Sequence, residues 1–240
     1  TKLLYEYLGD LIVLDVGGAT TDLHSVTVES DQVARLMISP EPKAKRTVEG
    51  DLGVYVNRWK VVESIGEEKL REQCREQGFS MEHALETYRA IPKTEEEVKL
   101  VELLTREAVV KAAERHAGRL RYIYGPSGRS TVAEGKDLTQ VKYIVGTGGA
   151  LTRLPHREEI MREITRCNES GMLLLPGEHA QILVDHDYIM ASLGVLSKRY
   201  PQAAARLLEQ SLGITFPERK AEEPVPVCNK ELSRLETQRQ

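Results

Sequence analysis

Aromatic residues are scarce in this sequence, and charge of neither sign dominates it. Only 5% of the 240 residues are aromatic, and 33 basic residues stand against 37 acidic ones, which gives a net charge of −4. A nucleic-acid-binding surface needs basic side chains for the phosphates and aromatic side chains on which bases stack. The composition therefore argues against a nucleic-acid partner.

Cysteine is also rare, and long apolar runs are absent. The three cysteines, Cys74, Cys167 and Cys228, are isolated, and no two of them share a C-x-x-C spacing. This pattern is typical of reduced thiols and not of a disulfide framework or a zinc site. Since the sequence shows no run of 18 apolar residues and no signal-peptide pattern, we expect no membrane partner and a cytoplasmic location.

The first of two glycine-rich segments begins with an apolar run. Leu11–Val16 is almost continuously apolar and stops at Gly17 and Gly18, which predicts a buried strand that ends in a tight loop. Residues 22–29 then alternate and are rich in β-branched side chains. This pattern predicts a second strand, antiparallel to the first.

The turn between these two strands has the chemistry of an anion site. Adjacent glycines let backbone N–H groups approach an anion closely, and the threonine hydroxyls can add further donors. Asp15, at the strand end, can hold Mg²⁺ directly or through a water molecule. The alternative is an ordinary hairpin whose glycines only satisfy the turn, but the neighbouring carboxylates and threonines favour the anion site. The candidate residues are Asp15, Gly17, Gly18, Ala19, Thr20 and Thr21.

A second apolar run, residues 141–145, leads into another glycine-rich turn and then into a predicted helix. Small residues there let the sugar and α-phosphate of a nucleotide lie against the backbone, near a helix N-terminus. Close packing between a strand and a helix also demands glycine, so this turn alone is a weak signal. Two such turns at strand ends favour a nucleotide site. The candidate residues are Gly146, Thr147, Gly148, Gly149 and Ala150.

Between the two turns the pattern becomes helical. From about residue 52 to 116 the pattern is that of helices, and Thr94 with Glu97 has the form of a capping box at the start of a long one. Further short strands are predicted for residues 33–48, and helices for 156–168, 187–199 and 202–212. The chain therefore divides into an α/β lobe (1–50 and 118–216), a mostly helical insertion (51–117) and a flexible charged tail (217–240).

Two acidic clusters have ordinary explanations. Residues 185–187 (DHD) predict a solvated turn with an N-cap aspartate in preference to a metal site. Residues 49–53 (EGDLG) place either a carboxylate near the anion site or a helix cap at Asp51, and the sequence does not decide between the two.

Several stretches resemble a known protein family. DVGGATTD, residues 15–22, resembles the second phosphate motif of the superfamily of acetate and sugar kinases, heat-shock chaperones and actin. VGTGGALTRLP, residues 145–155, resembles its adenosine motif. Within that superfamily DVGGATTDLHSV, RTVEGDLGVYVN and DHDYIMASLGVL are similar to the glutamate mutase MutL family, which is unrelated to the mismatch-repair proteins of the same name. The resemblance covers roughly residues 1–212.

The resemblance implies a fold and a ligand. The fold is α/β: the ribonuclease-H-like second lobe of an actin-like ATPase, with a helical insertion sub-domain. By motif match, Asp15 would help to hold hydrated Mg²⁺, and the β- and γ-phosphates of ATP or ADP would bind at residues 17–20. Residues 148–150 would face the ribose and the α-phosphate.

The resemblance also implies a partner and a missing part. Similar proteins accompany adenosylcobalamin-dependent mutases and are thought to use ATP to release damaged cobalamin, which makes a reactivating chaperone the leading hypothesis. Such ATPases carry a first phosphate motif in an N-terminal lobe, and the single matching loop here fits the second motif. We therefore expect the N-terminal lobe to be absent, and this chain alone to bind ATP weakly and hydrolyse it negligibly. The alternatives are a lobe of a small-molecule kinase of the same superfamily and a non-catalytic partner-binding module.

Overall fold

A mixed five-stranded sheet forms the centre of the structure, a computed structural model that describes residues 1–126, 128–168 and 170–217. The chain is thus a mixed α/β protein, as the sequence predicts. Its strands are β1 (Leu11–Val16), β2 (Thr21–Val26), β3 (Ala44–Glu49), β4 (Arg119–Gly125), β5 (Gly128–Glu134), β6 (Tyr143–Thr147) and β7 (Gln181–Val184). Its helices are α1 (Lys2–Leu8), α2 (Asp31–Ala34), α3 (Arg58–Ile65), α4 (Glu67–Glu76), α5 (Met81–Glu86), α6 (Glu95–His116), α7 (Gly148–Arg153), α8 (Arg157–Arg162), α9 (Met190–Leu196) and α10 (Pro201–Leu212).

The sheet joins an antiparallel half to a parallel half. Its strand order is β3-β2-β1-β6-β7, while β4 and β5 form a separate hairpin. β1 pairs antiparallel with β2 and parallel with β6, so it lies at the junction of the two halves. The chain therefore leaves β1 and β6 at the same edge of the sheet.

Successive side chains of β1 enter two different helical layers, as the alternation of a strand requires. Leu11 and Val13 belong to an apolar cluster with α1, α9 and α10. Ile12 and Leu14 belong to a larger cluster with residues of α3 to α8. Because both faces of this strand are covered, its sequence is apolar without interruption up to Asp15.

Helix α6 is the longest helix of residues 51–117, which we call the helical segment. At its start the Thr94 hydroxyl accepts a hydrogen bond from the Glu97 N–H at 3.2 Å, and the Glu97 carboxylate accepts one from the Thr94 N–H at 3.2 Å, which confirms the predicted capping box. Leu104 and Ala108 of this helix lie in the same apolar cluster as β1. The helix therefore shares the core of the sheet, and the domain boundaries at residues 50 and 118 stay a prediction.

Several predicted elements differ in extent from the observed ones. The second strand ends at Val26, and residues 33–48 form only one strand of the main sheet, β3, after the short helix α2, whose N-cap Ser30 accepts from the Val33 N–H. The helix predicted at 156–168 ends at Arg162 and continues as a 3-10 turn, and the one predicted at 187–199 begins only at Met190. The β4–β5 hairpin was not predicted. The predicted tail lies, apart from Pro217, outside the described residues.

Two of the three cysteines are described, and both Cys74 and Cys167 are free thiols, as predicted. Cys228 lies outside the described residues. Across the described ranges, no helix has the length and apolar character needed to cross a membrane.

Candidate functional site

The two glycine turns lie side by side because they follow neighbouring parallel strands. Asp15, next to the end of β1, lies opposite Asp22 in β2 and opposite Thr147 in β6. The first turn, residues 17–20, follows β1, and the second begins where β6 passes into α7 at Gly148. The structure thus brings the two predicted groups of site residues to one edge of the sheet.

Packing requires two of the glycines in the second turn. Gly148 has a φ of +85°, and a Cβ atom added there would lie 2.4 Å from Oδ1 of Asp15. A Cβ atom at Gly146 would lie 2.5 Å from Sδ of Met161. Gly149 is different, because a Cβ atom there would meet no atom within 4 Å. Close packing therefore explains Gly146 and Gly148, whereas Gly149 keeps a space open.

The first turn presents donors and hides acceptors. Residues 54–56 hold it by its carbonyl groups: one N–H donates to the O atom of Gly17 at 3.2 Å, and two donate to that of Gly18 at 2.9 and 2.7 Å. The N–H groups of residues 18–20 donate to no acceptor in the part of the chain that the structure describes. Gly18 and Ala19 are exposed. Exposed, unpaired N–H groups in a tight turn are what an anion site requires.

Of the three threonines predicted as site residues, two are buried and one is partly exposed. Thr21 is buried and donates its hydroxyl to a backbone carbonyl of the helical segment at 2.7 Å. Thr147 is buried and donates to Oδ2 of Asp185 at 2.8 Å. Thr20 is only half-buried and donates to Oδ2 of Asp22 at 3.2 Å. Of these three predicted ligands, the structure therefore places only Thr20 at the open side of the turn.

Asp15 stands in a region that is short of positive charge. Burial, followed by the negative charges of Asp22 and Asp185, raises the pKa of Asp15, and Arg46 offsets this only in part. Arg46 is itself bound to Asp22 at 2.8 Å. Within the described ranges no three acidic, histidine or cysteine side chains come together as a metal-binding group. The described residues therefore balance the negative charge around Asp15 only in part.

Both turns line one cavity of about 440 Å³. The rest of its wall is mainly apolar and aromatic and comes largely from the helical segment. Concave sites of this size with few polar groups are typical of small-molecule binding. The wall includes Gly17, Gly18, Gly149 and Ala150 from the turns, together with Tyr55, Tyr88, Ile91, Pro92, Arg153 and Tyr188.

The aromatic part of this wall was not foreseen from the sequence. The rings of Tyr55 and Tyr88 stack with their centroids 5.9 Å apart, and the Tyr88 hydroxyl donates to the carbonyl O of Val54. The Arg58 guanidinium lies 5.4 Å from the centroid of the Tyr88 ring. No local pattern marks these residues, because Tyr55 and Tyr88 lie in separate loops that only the fold brings together.

The surroundings of Asp185 differ from those predicted from the sequence. The predicted solvated turn is wrong at this position, since the side chain is fully buried and accepts four hydrogen bonds. The donors are the hydroxyls of Thr147 (2.8 Å) and Ser211 (2.6 Å) and the N–H groups of Ile189 (3.2 Å) and Met190 (2.9 Å). This carboxylate therefore ties the end of β6 to the start of α9 and to α10.

Asp51 does not take one of its two predicted roles, that of a helix cap. It pairs with Arg115, at the end of α6, at 2.7 Å, and Glu49 pairs with the same guanidinium at 2.6 Å. Because α3 begins only at Arg58, the predicted helix cap at Asp51 is wrong.

Two comparisons with known proteins agree on one family. A family model described as MutL protein matches residues 1–212, which contain both glycine turns. A curated relative, Protein MutL of Clostridium tetanomorphum, is 36% identical over 211 residues, which are 85% of this chain and 46% of that protein. The chain thus spans about half the length of the curated relative that it matches. It belongs to the MutL family, the family associated with glutamate mutase and not the mismatch-repair proteins of the same name.

Proposed function

We propose that this chain is the ATP-binding lobe of an actin-like ATPase, and that the complete protein acts as a reactivating chaperone for an adenosylcobalamin-dependent mutase. The observation that carries the proposal is the shared cavity. Two glycine turns that are far apart in the sequence line it together, and Asp15, in the strand that leads into the first turn, lies opposite Thr147 in the strand that leads into the second. The sheet, in which β1 joins an antiparallel half to a parallel half, supports the ribonuclease-H-like lobe that the family resemblance implies.

In this proposal each part of the cavity has one task. The N–H groups of residues 18–20 donate to the β- and γ-phosphates, and the hydroxyl of Thr20 can add a further donor. Asp15 holds the water shell of Mg²⁺, which would supply positive charge to the phosphates. Gly149 and Ala150 leave room for the ribose and the α-phosphate, and the wall that contains Tyr55 and Tyr88 takes the base.

The proposal assigns the chain only one wall of the complete site. Phosphoryl transfer depends on positioning and electrostatic groups around the phosphates on all sides. Because the chain spans 46% of its curated relative, the remaining groups belong to the other half of the complete protein. We therefore expect weak ATP binding and negligible hydrolysis by this chain alone.

The test is calorimetric titration of Mg·ATP and Mg·ADP into the chain and into a matched pair of glycine variants. Gly149 and Gly194 both lie in helices, and a Cβ atom at either would meet nothing within 4 Å, but only Gly149 lines the cavity. Gly149→Val is expected to weaken nucleotide binding at least tenfold, and Gly194→Val to leave it unchanged. Equal binding by both variants and the parent would overturn the proposal.

If binding by the chain alone is too weak to measure, the same pair is tested in a protein of the full length of the family relative. Absence of nucleotide binding there would also overturn the ATPase proposal. The chaperone role has its own test, in which a mutase inactivated by damaged cobalamin is incubated with the full-length protein, fresh adenosylcobalamin and Mg·ATP. Recovery of mutase activity that requires ATP is the expected result, and ATP-independent or absent recovery contradicts that role.

A further inference from the structure

One segment holds three of the four carbonyl groups of the first turn, and we call this segment, residues 50–57, the strap. Its backbone N–H groups bind the carbonyls of Gly17 and Gly18. The side chain of Asn57 completes the set, because its Nδ2 donates to the O atom of Ala19 at 2.7 Å and to that of Gly50 at 2.7 Å. The strap therefore contacts the acceptor side of three successive peptide groups.

Because the peptide group is planar, the contacts to these carbonyl groups also fix the direction of the neighbouring N–H groups. The carbonyl of one residue and the N–H of the next belong to the same rigid plane and point in opposite directions. The carbonyls of Gly17, Gly18 and Ala19 therefore fix the N–H groups of residues 18, 19 and 20. These are the N–H groups that have no acceptor among the described residues. Asn57 thus sets the direction of the Thr20 N–H.

The side chain of Asn57 does not serve the helix that it precedes. Asn57 is the N-cap residue of α3, a position where asparagine usually accepts a hydrogen bond from the first helical turn. Helix α3, which lies wholly within the described residues, has no such side-chain cap. Both Nδ2 hydrogen bonds go to the backbone of the turn and the strap instead.

Gly53 lets the strap lie directly against the turn. A Cβ atom at this residue would lie 2.2 Å from the backbone C and O atoms of Ala19, so only glycine allows the contact. Other residues of the helical segment also hold the strap, since the Tyr88 hydroxyl donates to the carbonyl O of Val54 and Arg115 pairs with Asp51 at 2.7 Å. The conformation of the turn is therefore fixed by contacts with the helical segment and not only by hydrogen bonds within the turn.

We propose that the strap positions the phosphate-binding turn, and that Asn57 is its positioning residue for the N–H group of Thr20. This inference rests on the proposed function, because it takes phosphate to be the ligand of the first turn. Loss of the Asn57 side chain leaves the peptide group between Ala19 and Thr20 free to rotate, so that its carbonyl can face the phosphate. Asn57 itself does not contact the ligand.

The test uses tripolyphosphate as the probe and the amide signals of residues 18–20 as the readout, followed by nuclear magnetic resonance on the ¹⁵N-labelled chain. In the parent these signals are expected to shift with saturable binding. Asn57→Ala is expected to bind the probe about tenfold more weakly, the effect of a hydrogen bond that orients a donor to a charged group. The matched control is Asn168→Ala, which removes side-chain hydrogen bonds of 2.7 and 3.1 Å to Leu173, away from the cavity, and is expected to bind as the parent does.

A second variant separates the turn from the helix. Asn57→Ser keeps a good N-cap residue for α3 but loses both Nδ2 donors, so it is expected to show the same loss as Asn57→Ala. If the signals of residues 18–20 respond to tripolyphosphate neither in this chain nor in a protein of the full length of the family relative, the proposed phosphate site itself fails. If the parent responds and both Asn57 variants bind equally well, the inference fails while the proposed function stands. Equal weakening by the Asn57 variants and Asn168→Ala also overturns the inference, because it indicates a general loss of stability.

Discussion

The backbone of Gly148 packs directly against the carboxylate of Asp15. A Cβ atom at residue 148 would lie 2.4 Å from Oδ1 of Asp15 and 2.6 Å from the carbonyl O of Val16. The residue also has a φ of +85°, a backbone region that residues with side chains rarely adopt. This contact brings the second glycine turn against β1, and with it the second wall of the cavity.

Gly148→Ala is therefore expected to destabilise the fold. Backbone strain and steric overlap act together at this position, and we expect a loss of about 3 kcal/mol in the free energy of unfolding. Urea denaturation measures the change. The control is Gly149→Ala, the next residue in the same helix, where a Cβ atom meets nothing within 4 Å and stability is expected to stay equal or rise by up to about 1 kcal/mol. Similar unfolding midpoints for the two variants would contradict the packing argument.

Asp15→Asn is expected to make the metal-free and nucleotide-free protein more stable. Burial, followed by the charges of Asp22 and Asp185, raises the pKa of Asp15 above its usual 3.8, so the folded state binds this proton more tightly than the unfolded state. The contribution of the group to stability therefore falls as the pH rises above 3.8 towards neutrality, where the ionised form is disfavoured in the folded state.

Thermal unfolding at neutral pH checks this expectation. The midpoint of Asp15→Asn should be higher than that of the parent without Mg·ATP, and Mg·ATP should raise the midpoint of the parent but not that of the variant. Asp187→Asn, which changes an exposed carboxylate, is expected to behave as the parent. A lower midpoint for Asp15→Asn would show that its carboxylate stabilises the fold.

Asp185→Asn tests the buried carboxylate behind the site. The substitution keeps the shape of the side chain but replaces one acceptor oxygen, which faces two of its four hydrogen-bond donors, by an amide. We expect a loss of about 2 kcal/mol in the free energy of unfolding, because buried donors lose their acceptor. Urea denaturation of this variant beside Asp187→Asn measures the effect. A change below about 0.5 kcal/mol, typical of an ordinary surface position, would rule out the assigned role.

His116 is expected to make the fold sensitive to acid. Its ring is fully buried between the hydroxyls of Thr47, 2.9 Å from Nδ1, and Ser25, 2.8 Å from Nε2. Burial, and then the charge of Lys45, lowers the pKa of His116 to about 3 from 6.5. Above pH 6.5 the histidine is neutral in both states and contributes no pH dependence. Below it the unfolded chain gains a proton that the folded chain does not, so stability falls by up to about 1.4 kcal/mol per pH unit.

Urea denaturation from pH 7.5 to 4.5 compares the slope of stability against pH in the parent and in His116→Gln. The variant is expected to lose the share of the slope below pH 6.5 that belongs to His116. His83→Gln, at an exposed histidine, provides the control and should retain the slope of the parent. If all three proteins show the same slope, the buried histidine does not cause the acid sensitivity.

The local features of this chain could be predicted because their causes are local. Leu11–Val16 is apolar at every position except Asp15, and its two faces enter two apolar clusters, so its strand could be recognised from composition alone. The capping box of Thr94 and Glu97 depends on residues three positions apart, and the structure confirms it. Where short-range signals compete, as in residues 33–48, the predicted strands were only partly observed.

The two strands, the two glycine turns and the family could be predicted from the sequence, because strand alternation, turn chemistry and motif order are all properties of neighbouring residues. The fold alone established that the turns share one cavity, that Thr21 and Thr147 lie behind it, and that Asn57 donates to the carbonyl of Ala19. It also decided that Asp185 is buried. The physical reason is the same in each case. Hydrogen bonds such as that of Asn57 to Ala19 join residues far apart in the sequence, and a local pattern does not specify its distant partner.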